Sequence, residues 1–310
     1  MRIIKCGGAS LNNCEDRKKL YKEIKEYNGS IVLIVSAFQT GPYSTLQLDS
    51  LIKDNFTYQM KQELITIGEI ISSIIVTNEL LNEYIDATII YKEDIGIYVN
   101  SSDKMDEIMC LDGSKIKEEL LSHKVVVIPG FIGINQYGKQ VSLNKNGSDL
   151  TAVLIAKMLE EKDVFLYKNV LGLSSIDPSL NKNFKIYKNI SYDLMQKITM
   201  HGNPLIQDEA LKKAKEYDIT IHVQHYLNHL HETTISKSNS ERIIVFQVFN
   251  NDVFIDGYIN KEFIENTLIN KEIRFDYILQ CNTYLKIVTG YNNEFIILNT
   301  LHNLYLKGEL

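Results

Sequence analysis

Residues 125–152, VVVIPGFIGINQYGKQVSLNKNGSDLTA, constrain the fold of this chain more than any other stretch. Val125-Val126-Val127-Ile128 is an unbroken apolar run, the pattern of a strand buried on both faces. Pro129-Gly130-Phe131-Ile132-Gly133 turns the chain at the strand's end, where two glycines let backbone approach a ligand without a Cβ in the way. Residues 135–140 read as a hairpin tip turned at Gly138. Asn146-Gly147-Ser148-Asp149 then leads into an apolar helix, 150–156, whose first amides face whatever lies at the strand end. A strand-end glycine loop meeting a helix N-terminus is a phosphate site in outline, although any α/β domain has several such turns.

Other strand ends repeat the arrangement. Arg2-Ile3-Ile4-Lys5 is a short strand broken by Gly7-Gly8 and followed by Ser10. A helix follows, capped by Asn12 or Asn13, with Leu20, Ile24 and Tyr27 on one face. Lys5 is then either part of a phosphate set (a cation, close amides, a hydroxyl) or a solvated lysine beside a flexible turn. Residues 31–35 form a second apolar strand ending in Ser36-Ala37, with a loop over 38–45. A long helical pattern over 58–81 holds Gly68-Glu69 in its middle. Glycine there costs about 1 kcal/mol relative to alanine, so something should approach closely. Glu69 is either a surface carboxylate or one that faces a ligand's ammonium. Strands over 87–91 and 95–99, a helix over 115–121 and a strand over 163–167 follow. This alternation, up to about residue 223, predicts α/β architecture: a largely parallel sheet covered by helices on both faces, in three αβα layers. Ligands of such sheets lie outside the carboxyl ends of the strands. Lys5, Ser36, Gly130 and Lys168 all sit at such ends, which points to a nucleotide-like site.

With 310 residues there is room for one large domain and a small one. The net charge of −6 argues against nucleic-acid or membrane-surface partners. No segment reads as a transmembrane helix, and the chain enters a strand at once, without a signal peptide. Cys6, Cys14, Cys110 and Cys281 show no metal-ligand spacing and suit a reducing cytoplasm. His222, His225, His229 and His231 fit a strand end running into an exposed loop better than a metal site. KSNSE, 237–241, reads as a linker. Beyond it, a strand (243–249), a helix (261–270), two strands (273–279 and 285–289), a helix (295–303) and a last short strand predict a ferredoxin-like α+β module. The expected domains are 1–236 and 241–310.

Several of these motifs are collinear with one family. KCGGAS resembles the KFGGTS opening of aspartokinases, in the amino-acid kinase superfamily, and IVLIVSAF resembles their second strand. GPYSTLQLDSLI resembles the loop that follows, QELITIGEIISS the helix carrying a Gly-Glu pair, and IPGFIG with NGSDLTA the glycine loop and Gly-Ser-Asp. The tail is similar to one ACT domain, where aspartokinases usually have two. The resemblance implies the amino-acid kinase fold and transfer of the ATP γ-phosphoryl group, with Mg, to the β-carboxylate of aspartate. That reaction is the first step toward lysine, threonine, methionine and diaminopimelate. It assigns Lys5 and Asp149 to catalysis, and Gly7, Gly8, Ser36, Gly130, Lys168 and Asn169 to phosphate or nucleotide. Ser10, Thr45, Glu69, Lys145 and Ser148 would hold aspartate, Glu69 pairing with its ammonium. It further implies a cytoplasmic homodimer with a possible amino-acid effector, and no metal ligand from the protein itself.

The departures fall mainly on the nucleotide side. Leu143-Asn144-Lys145-Asn146-Gly147-Ser148-Asp149 stands where the family has Leu-Gly-Arg-Gly-Gly-Ser-Asp; lysine keeps the charge of arginine but not its bidentate fork. Lys168-Asn169-Val170-Leu171-Gly172 replaces Thr-Asp-Val-Asp-Gly, losing both acids, and Gly202-Asn203-Pro204 replaces Gly-Ala-Lys. Lys168 would supply positive charge near the phosphates. The alternatives are a non-catalytic homologue that binds an amino acid and regulates, and a kinase for another small carboxylate.

Overall fold

The computed structural model describes residues 1–102, 105–143, 147–203, 205–238 and 242–310, apart from the side chains of 101, 102, 105, 106 and 228–231. Lys145, Asn146, Pro204, the side chains of His229 and His231, and residues 239–241 of the expected linker therefore lie outside the described residues. In chain order the elements are β1 (Arg2–Cys6), α1 (Gly8–Leu11), α2 (Cys14–Glu26), β2 (Ile31–Val35), α3 (Thr45–Ser50), α4 (Tyr58–Asn82), β3 (Ala87–Ile89), β4 (Ile97–Ser102) and β5 (Met105–Leu111). Then come α5 (Ser114–Ser122), β6 (Val125–Pro129), β7 (Ile132–Asn135), β8 (Gln140–Ser142), α6 (Ser148–Leu159) and β9 (Asp163–Lys168). The remainder comprises β10 (Leu173–Ser174), β11 (Ile186–Tyr187), β12 (Asn189–Ser191), α7 (Tyr192–Met200), α8 (Asp208–Tyr217), β13 (Thr220–His225), β14 (Asn228–Ser236), β15 (Val245–Phe249), β16 (Asp252–Asp256), α9 (Lys261–Asn270), β17 (Tyr277–Gln280), β18 (Tyr284–Val288) and α10 (Glu294–Leu306).

These elements form two compact units, Met1–Val170 with Glu209–Leu230, and Leu171–Asp208 with His231–Leu310. In the first, strands β13-β9-β1-β2-β6-β3 lie side by side, each pair parallel. Every residue of β2 and β6 is buried, as their unbroken Val/Ile runs require of a sheet covered on both faces. One face carries Ile4, Cys6, Leu33, Val35, Val127 and Tyr167, packed against Leu20, Tyr21 and Ile24 of α2 and Val76 and Leu80 of α4. The other face is covered by α6, all of whose residues except Lys157 are buried. Three layers result, as the alternation of strand and helix predicts.

Helix α2 starts from an Asn13 cap that accepts the Glu15 amide, and the β7–β8 hairpin turns at Gly138 with φ +70°. Three expectations change. The short helix α1 begins directly on the diglycine, and β5 pairs antiparallel with β4 over residues where no strand was expected. Helix α4 also has the length and mean hydropathy (1.6 over 18 residues) of a membrane span, contrary to the expectation that no segment would. Its buried positions include Thr66, Glu69, Ser72, Ser73 and Thr77, with 44% of that window inside the fold, the composition of a core helix that also presents polar groups inward.

Gly68 explains its own place in α4. A Cβ there would stand 2.5 Å from the Tyr43 carbonyl oxygen and 2.8 Å from the Ala37 Cβ, so the close approach expected of a mid-helix glycine exists. Gly68→Ala should therefore lower stability by about 2 kcal/mol despite its better helix propensity, because backbone of the 37–43 loop must move. A urea midpoint unchanged or raised in that variant would contradict this packing.

The second unit takes in more than the tail beyond residue 241. Segment Leu171–Asp208 belongs with it because the Phe246 amide donates to the Ser175 carbonyl at 2.8 Å, Tyr187 bonds both backbone groups of Ile244, and His201 Nδ1 lies 2.7 Å from Asp256 Oδ1. Its antiparallel sheet has the order β15-β16-β18-β17, with α9 and α10 burying Ile264, Leu268, Ile297, Leu298 and Leu301 against Val253, Ile255, Leu285 and Ile287. The module is ferredoxin-like, with one correction. Strand β16, unexpected from sequence, follows β15 through Asn250-Asn251, both at positive φ, a two-residue turn matched to strand twist. Strand β15 thus occupies the edge expected for a last strand, and no strand follows α10 among the described residues.

Candidate active site

The period of a strand decides which side chains meet at the carboxyl edge of the first unit's sheet. Lys5 of β1 lies in register with Leu166 of β9, so Lys168, two residues on, projects from the same face. That is the face covered by α6, whose first turn carries Asp149. Both lysines converge on it: Lys168 Nζ donates to Asp149 Oδ2 at 2.6 Å, and Lys5 Nζ lies 2.8 Å from Oδ1. The Lys5 contact is an ion pair without hydrogen-bond alignment. Asp149 is 3% exposed, and Lys5 and Lys168 side chains are 8% and 17% exposed. Burial pushes the Asp149 carboxyl up, but the two ammonium groups outweigh it and hold it well below the usual carboxylate range. Lys168 is shifted down, by burial first and by Lys5, with Asp149 opposing.

The helix reaches this position because of Gly130. A Cβ at Gly130 would sit 2.6 Å from the Ser148 Cβ, so only glycine at the end of β6 lets the first turn of α6 close over the sheet. The left-handed residue of this turn is Phe131, φ +69°, whose amide is held by the Thr151 hydroxyl at 3.0 Å. Ser36, beyond the end of β2, shares a 2.8 Å hydrogen bond with the Ser148 hydroxyl. The Ser36 carbonyl accepts from Ser72 of α4, which ties that helix to the same edge.

One turn before Ser72 comes Glu69. It is 4% exposed, and burial raises its carboxyl to about 7, against the Ala37 amide and Lys5, which favour the charged form. Its Oε2 is fully buried without a hydrogen-bond partner. A carboxylate held dry with an open oxygen, close enough to Lys5 to feel its charge, is suited to a small cation that arrives with a ligand. The surface reading of Glu69 is excluded, as is that of a solvated Lys5.

The remaining candidates divide. The Ser10 hydroxyl is buried and donates to the Gly7 carbonyl at 2.7 Å. The Gly7 amide donates to the Tyr167 carbonyl at 3.1 Å, so of the two diglycine amides expected at a phosphate the first is already engaged in joining β1 to β9. Thr45 opens α3 and is exposed, and Asn169 is exposed past the end of β9. Among the described residues no group of three His, Cys, Asp or Glu side chains is placed to hold a metal. His222 instead pairs with Asp163 at 2.7 Å and stacks on Phe165, and the expected loop after His225 is occupied by strand β14.

Sequence reasoning missed one supporting residue. Arg17 of α2 grips Glu79 of α4 with two 2.7 Å bonds and donates to the Leu11 carbonyl at the end of α1 at 2.6 Å. It thereby joins the element after the diglycine to the helix that carries Glu69. Nothing local marks it, because an arginine on an amphipathic helix reads as surface.

Comparison with known proteins agrees with this geometry. The chain is 27% identical over 297 residues to an aspartokinase of Bacillus sp. (strain MGA3), covering 91% of this chain and 72% of that one. It is 24% identical over 257 residues to an aspartate kinase of Pseudomonas putida, covering 81% of this chain but only 62% of that relative's length. Its fold is similar to that of E. coli aspartokinase III, solved in complex with aspartate and ADP, with a TM-score of 0.68 at 15% identity over 97% of this chain and 84% of that one. The sequence profile of the amino acid kinase family matches residues 1–225. Because that match runs from β1 through β13 and takes in the six parallel strands β13-β9-β1-β2-β6-β3, the chain belongs to the amino acid kinase family.

Proposed function

We propose that this protein is an aspartokinase, moving the γ-phosphoryl group of ATP to the β-carboxylate of L-aspartate. The observation that carries the reading is the buried Lys5–Asp149–Lys168 triad lying close to a desolvated glutamate with an open oxygen. Phosphoryl transfer asks a protein mainly for positioning and for fixed positive charge where negative charge crowds. In this reading Glu69 pairs with the ammonium of aspartate, and Ser36, Ser148 and Ser10 offer hydroxyls beside it. Thr45 and Lys145 are assigned to the same substrate by position in the sequence. Lys5 neutralises the transferring group as the acceptor oxygen bonds to phosphorus, and Asp149 keeps its ammonium in place. In this reading the Gly8 amide is assigned to the phosphates and Asn169 to the nucleotide, while Gly130 acts indirectly by letting the first turn of α6 close over the strand ends.

Both Asp149 oxygens already face lysines, so Mg²⁺ would enter with the nucleotide phosphates rather than on a site of the protein's own. We assign phosphoryl transfer to residues 1–236 and a regulatory or dimerising role to the ACT-like module 241–310, whose β17 is an edge strand with Tyr277 and Leu279 exposed. A cytoplasmic homodimer acting early in lysine biosynthesis, with a possible amino-acid effector, completes the reading. A regulatory homologue without activity is the second reading, favoured by Asn169 and Leu171 in the sequence where the family has two acids, and by Pro204 where it has a lysine.

Hydroxamate formation from ATP, Mg²⁺, aspartate and hydroxylamine separates the two. Wild-type signal that falls about a thousandfold in Lys5→Ala, a loss of about 4 kcal/mol of transition-state stabilisation, is the expected result. Folded wild-type protein giving no more signal than the variant would exclude the aspartokinase reading.

A further inference from the structure

The geometry points to Lys168 as the leaving-group cation, the residue that neutralises the β,γ-bridging oxygen of ATP as its bond to the γ-phosphorus breaks. This rests on the phosphotransfer reading above, but Lys168 departs from the family pattern, so the resemblance does not supply the role.

Three observations carry it. Lys168 and Lys5 share one carboxylate, one on each oxygen, so Asp149 fixes two ammonium groups at a single strand edge rather than one. The strand order separates them by side: β9, with Lys168, flanks β1 opposite to β2 and β6, whose ends carry Ser36 and Gly130. Glu69 lies on that β2 side, one turn of α4 before Ser72, which donates to the Ser36 carbonyl at 2.8 Å. An acceptor held by Glu69 therefore meets Lys5 first and Lys168 beyond it. Finally, 17% of the Lys168 side chain is open although its ammonium donates a 2.6 Å bond to Asp149, so the residue is not sealed beneath the sheet edge.

An in-line transfer in that direction has a simple balance. The acceptor carboxylate oxygen supplies an electron pair to the γ-phosphorus, and the bond from phosphorus to the bridging oxygen breaks. The electron pair of that bond stays on the bridging oxygen, which becomes a terminal oxygen of ADP. No proton moves, and Lys168 remains protonated, donating to the oxygen on which charge grows while Lys5 attends the transferring group.

The test compares Lys168→Met and Lys168→Arg with the wild type for kcat, for KM of aspartate and of ATP, for thermal midpoint, and for ATP binding without acceptor. Expected are a hundredfold or greater loss of kcat in Lys168→Met, a KM for aspartate within threefold, and recovery of at least tenfold in Lys168→Arg. A kcat within threefold of wild type, with only the thermal midpoint lowered, would make Lys168 a mere counter-ion of Asp149 and overturn the assignment. If Lys168→Met does not fold, Lys168→Arg beside Lys168→Gln carries the same comparison. Wild-type protein that binds ATP without phosphorylating aspartate would refute the aspartokinase reading alone. The assignment is then decided by ATP affinity, which must fall tenfold or more in Lys168→Met while AMP affinity stays within threefold; equal losses overturn it. Wild-type protein that binds no ATP overturns both.

Discussion

Asp149→Asn is expected to abolish phosphoryl transfer, by about a thousandfold or more in kcat, and to destabilise the fold at the same time. Both effects follow from one fact, that a carboxylate 3% exposed holds Lys5 and Lys168 together. An amide of the same shape keeps the packing but leaves two neighbouring ammonium groups without their shared anion. Breaking a buried ion pair from one side costs about 3–5 kcal/mol, far more than the pair's net worth. The sign with pH follows from the depressed Asp149 carboxyl: its stabilisation is present above the unfolded carboxyl's range and is lost only as pH falls through the lower folded value. The stability gap between wild type and variant should therefore persist at neutral pH and close only in strong acid. Adding Lys168→Met to Asp149→Asn should restore part of the lost stability, a non-additivity that chemical denaturation would read directly. Additive losses would mean that the three groups do not act as one unit.

Glu69→Gln should act in opposite directions on stability and on substrate. In the free protein, burial raises this carboxyl from the ordinary 4.5 to about 7. The folded state therefore holds a proton that the unfolded state has released. That stability is complete below about 4.5 and disappears as pH rises through about 7, a change of about 3 kcal/mol. Glutamine does not titrate, so the ligand-free variant should be the more stable protein at pH 8 and should lose the pH slope between 5 and 8. Its affinity for aspartate should fall about a hundredfold, since the ammonium then meets a neutral amide. Wild-type affinity should rise with pH up to about 7, with proton release on binding, because an arriving ammonium favours the charged carboxylate. Calorimetry in buffers of different ionisation enthalpy checks this. Binding that is independent of pH and releases no proton would remove Glu69 from the ammonium site.

The parallel sheet was legible because β2 and β6 are made of Val and Ile without interruption, and such runs have no stable place except between two helical layers. The strand-end residues were legible for the same reason: once strands and helices alternate, Lys5, Ser36, Gly130 and Lys168 can only sit at carboxyl ends. Gly68 announced a close approach by its cost, and the Tyr43 carbonyl and the Ala37 Cβ supply it. In the tail, residues 250–256 were missed as hairpin and strand. Asn250-Asn251 reads as a generic loop, and what makes it a turn is the pairing of β15 with β16.

The sequence by itself determined which layers form and which edge of the sheet carries the polar residues, because period and run length follow from side-chain geometry and burial alone. Tertiary structure alone decided which of those residues become one chemical unit. That Lys168 shares Asp149 with Lys5 depends on the parallel register of β1 with β9, and that register joins residues more than 150 positions apart. That Glu69 is dry rather than solvated depends on a loop packing on Gly68, and no local pattern specifies the water left around a carboxylate. Contacts between distant strands and the dielectric around a charge are properties of the assembled fold, and they carry the chemistry.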